Sequence, residues 1–307
     1  MTFWLVFNVV IAVMLYLDLG VINKHVRVIS LKEAALWSAV WVLVALGFCG
    51  WVGLAMGRQK SLEFLTGYLI EESLSVDNMF VFVMIFEYFR VPPRYQPRVL
   101  KWGILGALVM RFLLIVTGVA LFRLFHWMIY LFGVLLVFTG FRMATEREQA
   151  IEPERNPILK LFRRLMPVAA DHQGDAKFFI RRHGRRFATP LFITLLIVEA
   201  SDLVFAVDSI PAVLAISTDP FIVYTSNAFA ILGLRALYFL LSGMMGFFAY
   251  LKIGISVILA FVGVKMLLSS VYHVSTFASL GVIAAVLTVS IVASLLDRRR
   301  RSGARPV

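Results

Sequence analysis

"IEESLSVDNMFVF", residues 70–82, lies inside an apolar stretch long enough to span a lipid bilayer, yet it carries Glu71, Glu72, Asp77 and Asn78. A second stretch, "VEASDLVFAVDSIP" at 198–211, repeats the conflict with Glu199, Asp202 and Asp208. A charge at the bilayer centre costs on the order of 3 kcal/mol on insertion scales. These carboxylates therefore need partners, water or a cation, and which of the three they have decides how the chain is read.

The surroundings of the two stretches are those of a membrane protein. Of 307 residues 61% are hydrophobic and only 16% charged, where a soluble domain has about half and about a quarter. The net charge of +12 would suggest nucleic acid for a soluble chain. Here it reads as cytoplasmic loop charge, with no nucleic-acid partner expected. A single cysteine, Cys49, in an apolar run allows neither an intrachain disulfide nor a thiolate cluster. The N-terminus lacks a basic leader and a small-residue cleavage site, so it is expected to be a retained span.

A span needs about 20 apolar residues. Nine segments qualify, near 2–20, 34–56, 64–87, 102–121, 125–142, 190–215, 221–242, 248–268 and 275–296. The fold class expected is thus all-α, a single integral membrane domain over 1–307 with a cytoplasmic linker at 143–189. An odd number of spans puts the termini on opposite sides. Of the 30 Lys and Arg residues, 24 fall in the loops of one side and three on the other. The positive-inside rule then places the N-terminus outside and "DRRRRSGARPV" in the cytoplasm of a bacterial-type inner membrane. Within the linker, "NPILKLFRRLMPV" at 156–168 reads as a basic amphipathic helix lying on the anionic inner leaflet.

The chain also repeats itself. "ILG" occurs at 104–106 and 231–233, each followed by an arginine, Arg111 and Arg235. "LLVFTGFRM" (135–143) and "ILAFVGVKM" (258–266) share Phe, Gly, a basic residue and Met in one register. Spans 3–5 and 6–8 thus read as two copies of a three-helix unit. Three is odd, so the second copy enters the membrane inverted. That architecture carries the substrate site of many secondary transporters near the bilayer midplane.

At 100° per residue Glu71, Ser75 and Asn78 share one helix face, as do Glu199 and Asp202. Asp208 lies opposite Glu199, but Pro211 is expected to disturb the helix nearby and turn that carboxylate inward. Glu71, Asp77, Asn78, Glu199, Asp202 and Asp208 then make an all-oxygen site, with no Cys or His. Oxygen ligands suit a hard divalent ion, Mg²⁺, Ca²⁺ or Mn²⁺. Some of the carboxylates are expected to carry protons as counter-ion. The competing reading is structural: Arg111, Arg235 and Lys265 simply neutralise the acids. They number three against six, so at most half are paired, and one arginine is expected to stand in for the cation. Asp18, at the end of the first span, is a weaker candidate, and Asn227 reads as a packing group.

With these residues in view the chain resembles the TerC family of integral membrane proteins, close to its Alx-type branch. The resemblance rests on "LDLG", "GYLIEESLSVDNMFVF", "TPLFITLLIVEASDLVFAVDSIPAVLAIS", "YTSNAFAILGLRALYFLL" and "ILAFVGVKMLL". It implies a LysE-like transporter fold and manganese export, with links to tellurite resistance and alkaline response. The family's E-x-x-L-S-x-D-N pattern falls on Glu71, Ser75, Asp77 and Asn78, which favours Glu71 over Glu72. Its second pattern falls on Glu199, Asp202, Asp208 and Ser209. The leading expectation is an exporter of Mn²⁺ by proton exchange, with no permanent cofactor. The alternatives are a membrane partner that binds metal without moving it, a redox or stress modulator, and a channel. An enzyme is disfavoured by the lone cysteine and the lack of a nucleotide fingerprint.

Overall fold

The computed structural model describes residues 2–15, 30–125, 127–145, 177–182, 185–242, 250–269, 271 and 274–303. Among these residues there are nine helices: α1 (Thr2–Leu15), α2 (Leu31–Met56), α3 (Arg58–Tyr88), α4 (Gln96–Leu124), α5 (Met128–Thr145), α6 (Pro190–Leu214), α7 (Pro220–Ser242), α8 (Leu251–Leu267) and α9 (Thr276–Gly303). One helix falls on each expected segment. Five of them, α2, α4, α6, α7 and α9, are long and apolar enough to cross a membrane. The α1 and α5 helices are apolar but shorter. Several helices outrun their apolar stretches: α3 starts at Arg58 and α9 runs on to Gly303, so polar turns project from the apolar slab.

Local sequence sets the helix ends. The Ser30 hydroxyl accepts a 3.3 Å hydrogen bond from the Glu33 backbone N–H, the first half of a capping box for α2. Gly57, at φ +92°, turns α2 into α3 in one residue, a conformation an L side chain resists. Pro97 and Pro190 sit in the first turns of α4 and α6, where a missing N–H costs nothing. Asp219 caps α7 by accepting from the Phe221 N–H at 3.0 Å.

The chain is mostly helical, as expected, with one short hairpin that the sequence reading does not mark. Strands β1 (Phe179–Arg182) and β2 (Arg185–Ala188) pair antiparallel from Phe179↔Ala188 to Arg182↔Arg185. Two strands alone are marginal. These are tied down by the Thr189 hydroxyl, which donates to the Lys177 carbonyl at 2.8 Å, and by Phe179 packing on Phe192 of α6 at 4.5 Å. The rest of the 143–189 linker beyond α5, including the 156–168 segment, lies outside the described residues, as does Asp18.

In the bundle, α7 is buried along most of its length. The α3 helix packs on α7 and α6; α4 packs on α6 and α7; α5 packs chiefly on α8. Outside this set, α2 lies on α3 and α7, and α9 lies on α3 and α8. Among the six helices α3–α8, the main contacts are unchanged when α3, α4 and α5 are exchanged with α6, α7 and α8. Exposed Leu, Val and Phe side chains coat α2, α4, α5 and α9, the surface expected to face lipid.

The α5–α8 contact has the same exchange at atomic detail. A Cβ built on Gly140 would lie 2.7 Å from the Ser256 carbonyl and 3.0 Å from the Ala260 nitrogen. One built on Gly263 would lie 2.7 Å from the Gly133 carbonyl and 2.8 Å from the Val137 nitrogen. Aligning the two Phe–x–Gly segments matches Gly140 with Gly263, Gly133 with Ser256 and Val137 with Ala260. Each helix therefore offers the other the same contact, and the two run antiparallel. Small residues two turns apart let the backbones touch, as in tightly packed membrane helices.

Candidate functional site

Glu71, Arg111 and Asp202 each lie within about two residues of the middle of α3, α4 and α6. All three are buried, Arg111 and Glu71 completely. Arg111 grips Asp202 in a bidentate fork, Nη2 to Oδ1 at 2.9 Å and Nε to Oδ2 at 3.2 Å. Its Nη1 pairs with the Glu71 carboxylate and also donates to Asn227 Oδ1 on α7 at 3.4 Å. One guanidinium thus ties four helices together. A planar, permanently charged fork is suited to holding two carboxylates at once.

The first motif divides around its helix. Glu71, Ser75 and Asn78 are buried on the inward face, whereas Glu72 is only partly buried. In the second motif Asp202 and Ser209 are buried. Glu199 is partly exposed and lies directly against Gly106 of α4, where a Cβ would meet its carboxylate. At Asp77 and Asp208 only the backbone falls within the described atoms. The expected unwinding beside Asp208 is not found: α6 is helical through Asp208 and Pro211 to Leu214. Pro211 removes one hydrogen bond, near the helix end, and its own carbonyl still accepts from Ala215 N–H at 3.0 Å. That loss is too small to break the helix.

Polar atoms that are buried yet make no hydrogen bond among the described residues gather here. They are on Glu71 (Oε2 among them), Glu72, Ser75, Glu199, Ser209 and Asn227; only Ser38 lies elsewhere. Each such atom costs about 1–3 kcal/mol, so a cluster of them calls for an explanation. Among the described side chains no three of His, Cys, Asp and Glu converge on a single point; the Arg111 guanidinium stands between Glu71 and Asp202. Beside the fork, a crevice lined by Gly103, Ile104, Ala107, Glu199 and Asp202 measures about 10 Å³, room for roughly one water.

Arg235 is buried on α7. Lys265, weighed above as a counter-charge, donates instead to Ser279 of α9 at 2.9 Å. It lines a separate cavity of about 270 Å³ with Lys60, Glu63 and Ser217. There Lys60 pairs with Glu63 at 2.9 Å and Asp219 at 3.4 Å, and the Ser217 hydroxyl donates to Glu63 at 2.6 Å. Lys60 precedes the apolar part of α3. Burial opposes its charge, but the hydrogen bond and charge of Glu63, with the charge of Asp219, outweigh it and raise the ammonium pKa. The sequence reading missed this cluster and took Asn227 for packing. The signals were "STDP" at 217–220, a capping sequence, and a polar "TSN" inside an apolar run.

Helices long and apolar enough to cross a bilayer, closed over a charged centre, define a multi-pass integral membrane protein. Residues 56–302 match the pattern of the integral membrane protein TerC family. The chain belongs to that family. It is 49% identical to an uncharacterized membrane protein of Myxococcus xanthus, over 96% of this chain and 92% of the other. It is 46% identical to the protein named "Putative membrane-bound redox modulator Alx" in Salmonella typhi, over 94% and 92%. A membrane protein of Rickettsia bellii is 39% identical over 96% and 97%. No solved structure matches the chain.

Proposed function

We propose that this protein exports a hard divalent cation, Mn²⁺ first, in exchange for protons. Glu71, Asp77, Asn78, Glu199, Asp202 and Asp208 supply the oxygen ligands, and Ser75 and Ser209 support them; Ca²⁺ and Mg²⁺ fit the same ligands. The observation that carries the reading is the concentration of unsatisfied buried oxygens on the two motifs, around a buried arginine at mid-helix. In a bilayer such a cluster marks an ion path far more readily than a structural brace.

The architecture proposed is nine spans with an inverted repeat, helices 3–5 against helices 6–8. The exchange-symmetric packing and the reciprocal Gly140 and Gly263 contacts support it. The positive-inside count supports an inner-membrane location with the N-terminus outside and the C-terminus in the cytoplasm. On that orientation the 270 Å³ cavity opens on the outer side and the hairpin lies on the inner side.

The relatives' name raises redox modulation as a second reading. A lone Cys49, within 3.2 Å of the Ser61 hydroxyl, has no second thiol in the chain to exchange with. Any redox effect would therefore follow from metal supply. The test is Mn²⁺ flux in proteoliposomes, with release of protons followed in weak buffer. Wild type should carry Mn²⁺, and Asp77→Asn and Asp208→Asn should not, at unchanged abundance. Absence of flux in the wild type with intact Mn²⁺ binding would favour the non-transporting partner; flux without proton movement would remove the exchange.

A further inference from the structure

Arg111 occupies the position that a carried cation has to take. Its guanidinium satisfies both oxygens of Asp202 and contacts Glu71, one carboxylate from each acidic motif. A buried arginine does not lose its proton, so it cannot yield its place by becoming neutral. It has to move. The adjoining crevice of about 10 Å³ holds roughly one water, too little for a second cation that keeps any of its own water ligands.

A place to move to lies one turn away. Glu199 sits three residues before Asp202 on α6, about 4.5 Å along the axis. Its Oε2 is buried and makes no hydrogen bond among the described residues. It lies on the same helix as Asp202, against Gly106 of α4. The α4 and α6 helices run parallel, since Gly103 and Gly106 meet Val198 and Glu199 while Gly118 meets Leu214 and Ile210. A rotamer change would thus bring the guanidinium from Asp202 to Glu199 within the reach of an arginine side chain.

Resting on the export reading above, we propose that Arg111 is a tethered competitor of the carried cation, displaced from Glu71 and Asp202 toward Glu199 when the ion binds and returning to expel it. Arg111 acts as a positioning residue. It sets how loosely the ion is held and keeps the two carboxylates paired while the protein resets between cycles.

The experiment measures Mn²⁺ binding by electron paramagnetic resonance on purified full-length protein, beside flux in proteoliposomes. Arg111→Gln should bind Mn²⁺ at least tenfold tighter than wild type while losing flux, a split that a merely structural defect would not give. Arg111→Lys keeps the charge without the fork, is less exposed to misfolding, and should bind a few-fold tighter with partial flux. Added guanidinium chloride at millimolar level should weaken Mn²⁺ binding to Arg111→Gln and leave wild type unaffected. Wild-type flux with unchanged or weaker binding in both variants overturns the competitor and leaves the export reading standing. No Mn²⁺ binding by wild type or by either variant removes the export reading, and the competitor with it.

Discussion

If helices 3–5 and 6–8 are inverted copies, the two glycines at the α5–α8 contact are equivalent and should respond alike. In Gly263→Ala the new Cβ stands 2.7 Å from the Gly133 carbonyl; in Gly140→Ala it stands 2.7 Å from the Ser256 carbonyl. Both obstacles are backbone, which cannot rotate aside. Restoring contact to about 3.5 Å means parting the helices by about 0.8 Å. Overpacking of this kind costs about 1–3 kcal/mol, and Ala returns about 0.5–1 kcal/mol over Gly in a helix, leaving a net loss of about 0–2.5 kcal/mol. The same separation relieves both clashes, so the double variant should cost clearly less than the sum of the two, as neighbours sharing one contact do. Unfolding in mixed micelles, followed by tryptophan fluorescence, measures all three. Gly50→Ala, with nothing within 4 Å of its Cβ, is the control and should be neutral or slightly stabilising. Single costs that differ by more than about 1 kcal/mol, or a fully additive double, would refute the equivalence. A Gly263→Ala variant as stable as Gly50→Ala would refute the close contact itself.

Other outcomes follow from the site and its flanks. Gly106→Ala pushes aside the Glu199 carboxylate, a flexible obstacle, so stability should change by under about 1 kcal/mol while Mn²⁺ flux falls sharply; Gly103→Ala, at 3.6 Å from Val198, should leave flux intact. Lys60→Met should cost about 0.5–1 kcal/mol at low salt, as a partly exposed ion pair does. Because the folded pKa of Lys60 is raised, that contribution is fully present below its ordinary value of 10.5 and lost only as pH rises beyond it; melting curves at pH 7 and pH 9 should show the same loss, and a smaller one at pH 7 would overturn the assignment. A fluorescent-protein fusion at the C-terminus should light up in the cytoplasm, and a dark fusion with an active periplasmic reporter at the same point would reverse the orientation.

Much of this fold is written in local signals. Apolar runs of bilayer length located every helix core, and the Ser30–Glu33 pair and Pro190 mark where helices begin. What the apolar runs could not mark is where polar helical turns continue past the lipid, as at Arg58 or beyond Asp297, because hydropathy falls there while helix propensity does not. The β1–β2 hairpin was hidden for the opposite reason: "FIRR" and "RRFA" are too short and too basic to stand as strands without Phe192 and Thr189 to hold them.

The candidate site was legible in kind and only partly in arrangement. Helical spacing correctly put Glu71, Ser75 and Asn78 on one buried face, since that periodicity is a property of a single helix. It had no means of ranking Arg111, Arg235 and Lys265 as partners, because which of them meets the acids is decided only by tertiary packing. Arg111 is chosen because α4 runs beside α6 through Gly103, Gly106 and Gly118, glycines that read in sequence as ordinary membrane-helix residues. Asn227 enters for the same reason: α7 packs against both α3 and α4 at the height of the fork. Pro211 was given too much weight, since a proline in the last turn of α6 interrupts a single bond of a helix that its neighbours hold straight. Where two acidic motifs lie on separate helices, a motif fixes which oxygens face inward, but the cation they meet is decided by the small residues that let a third helix approach.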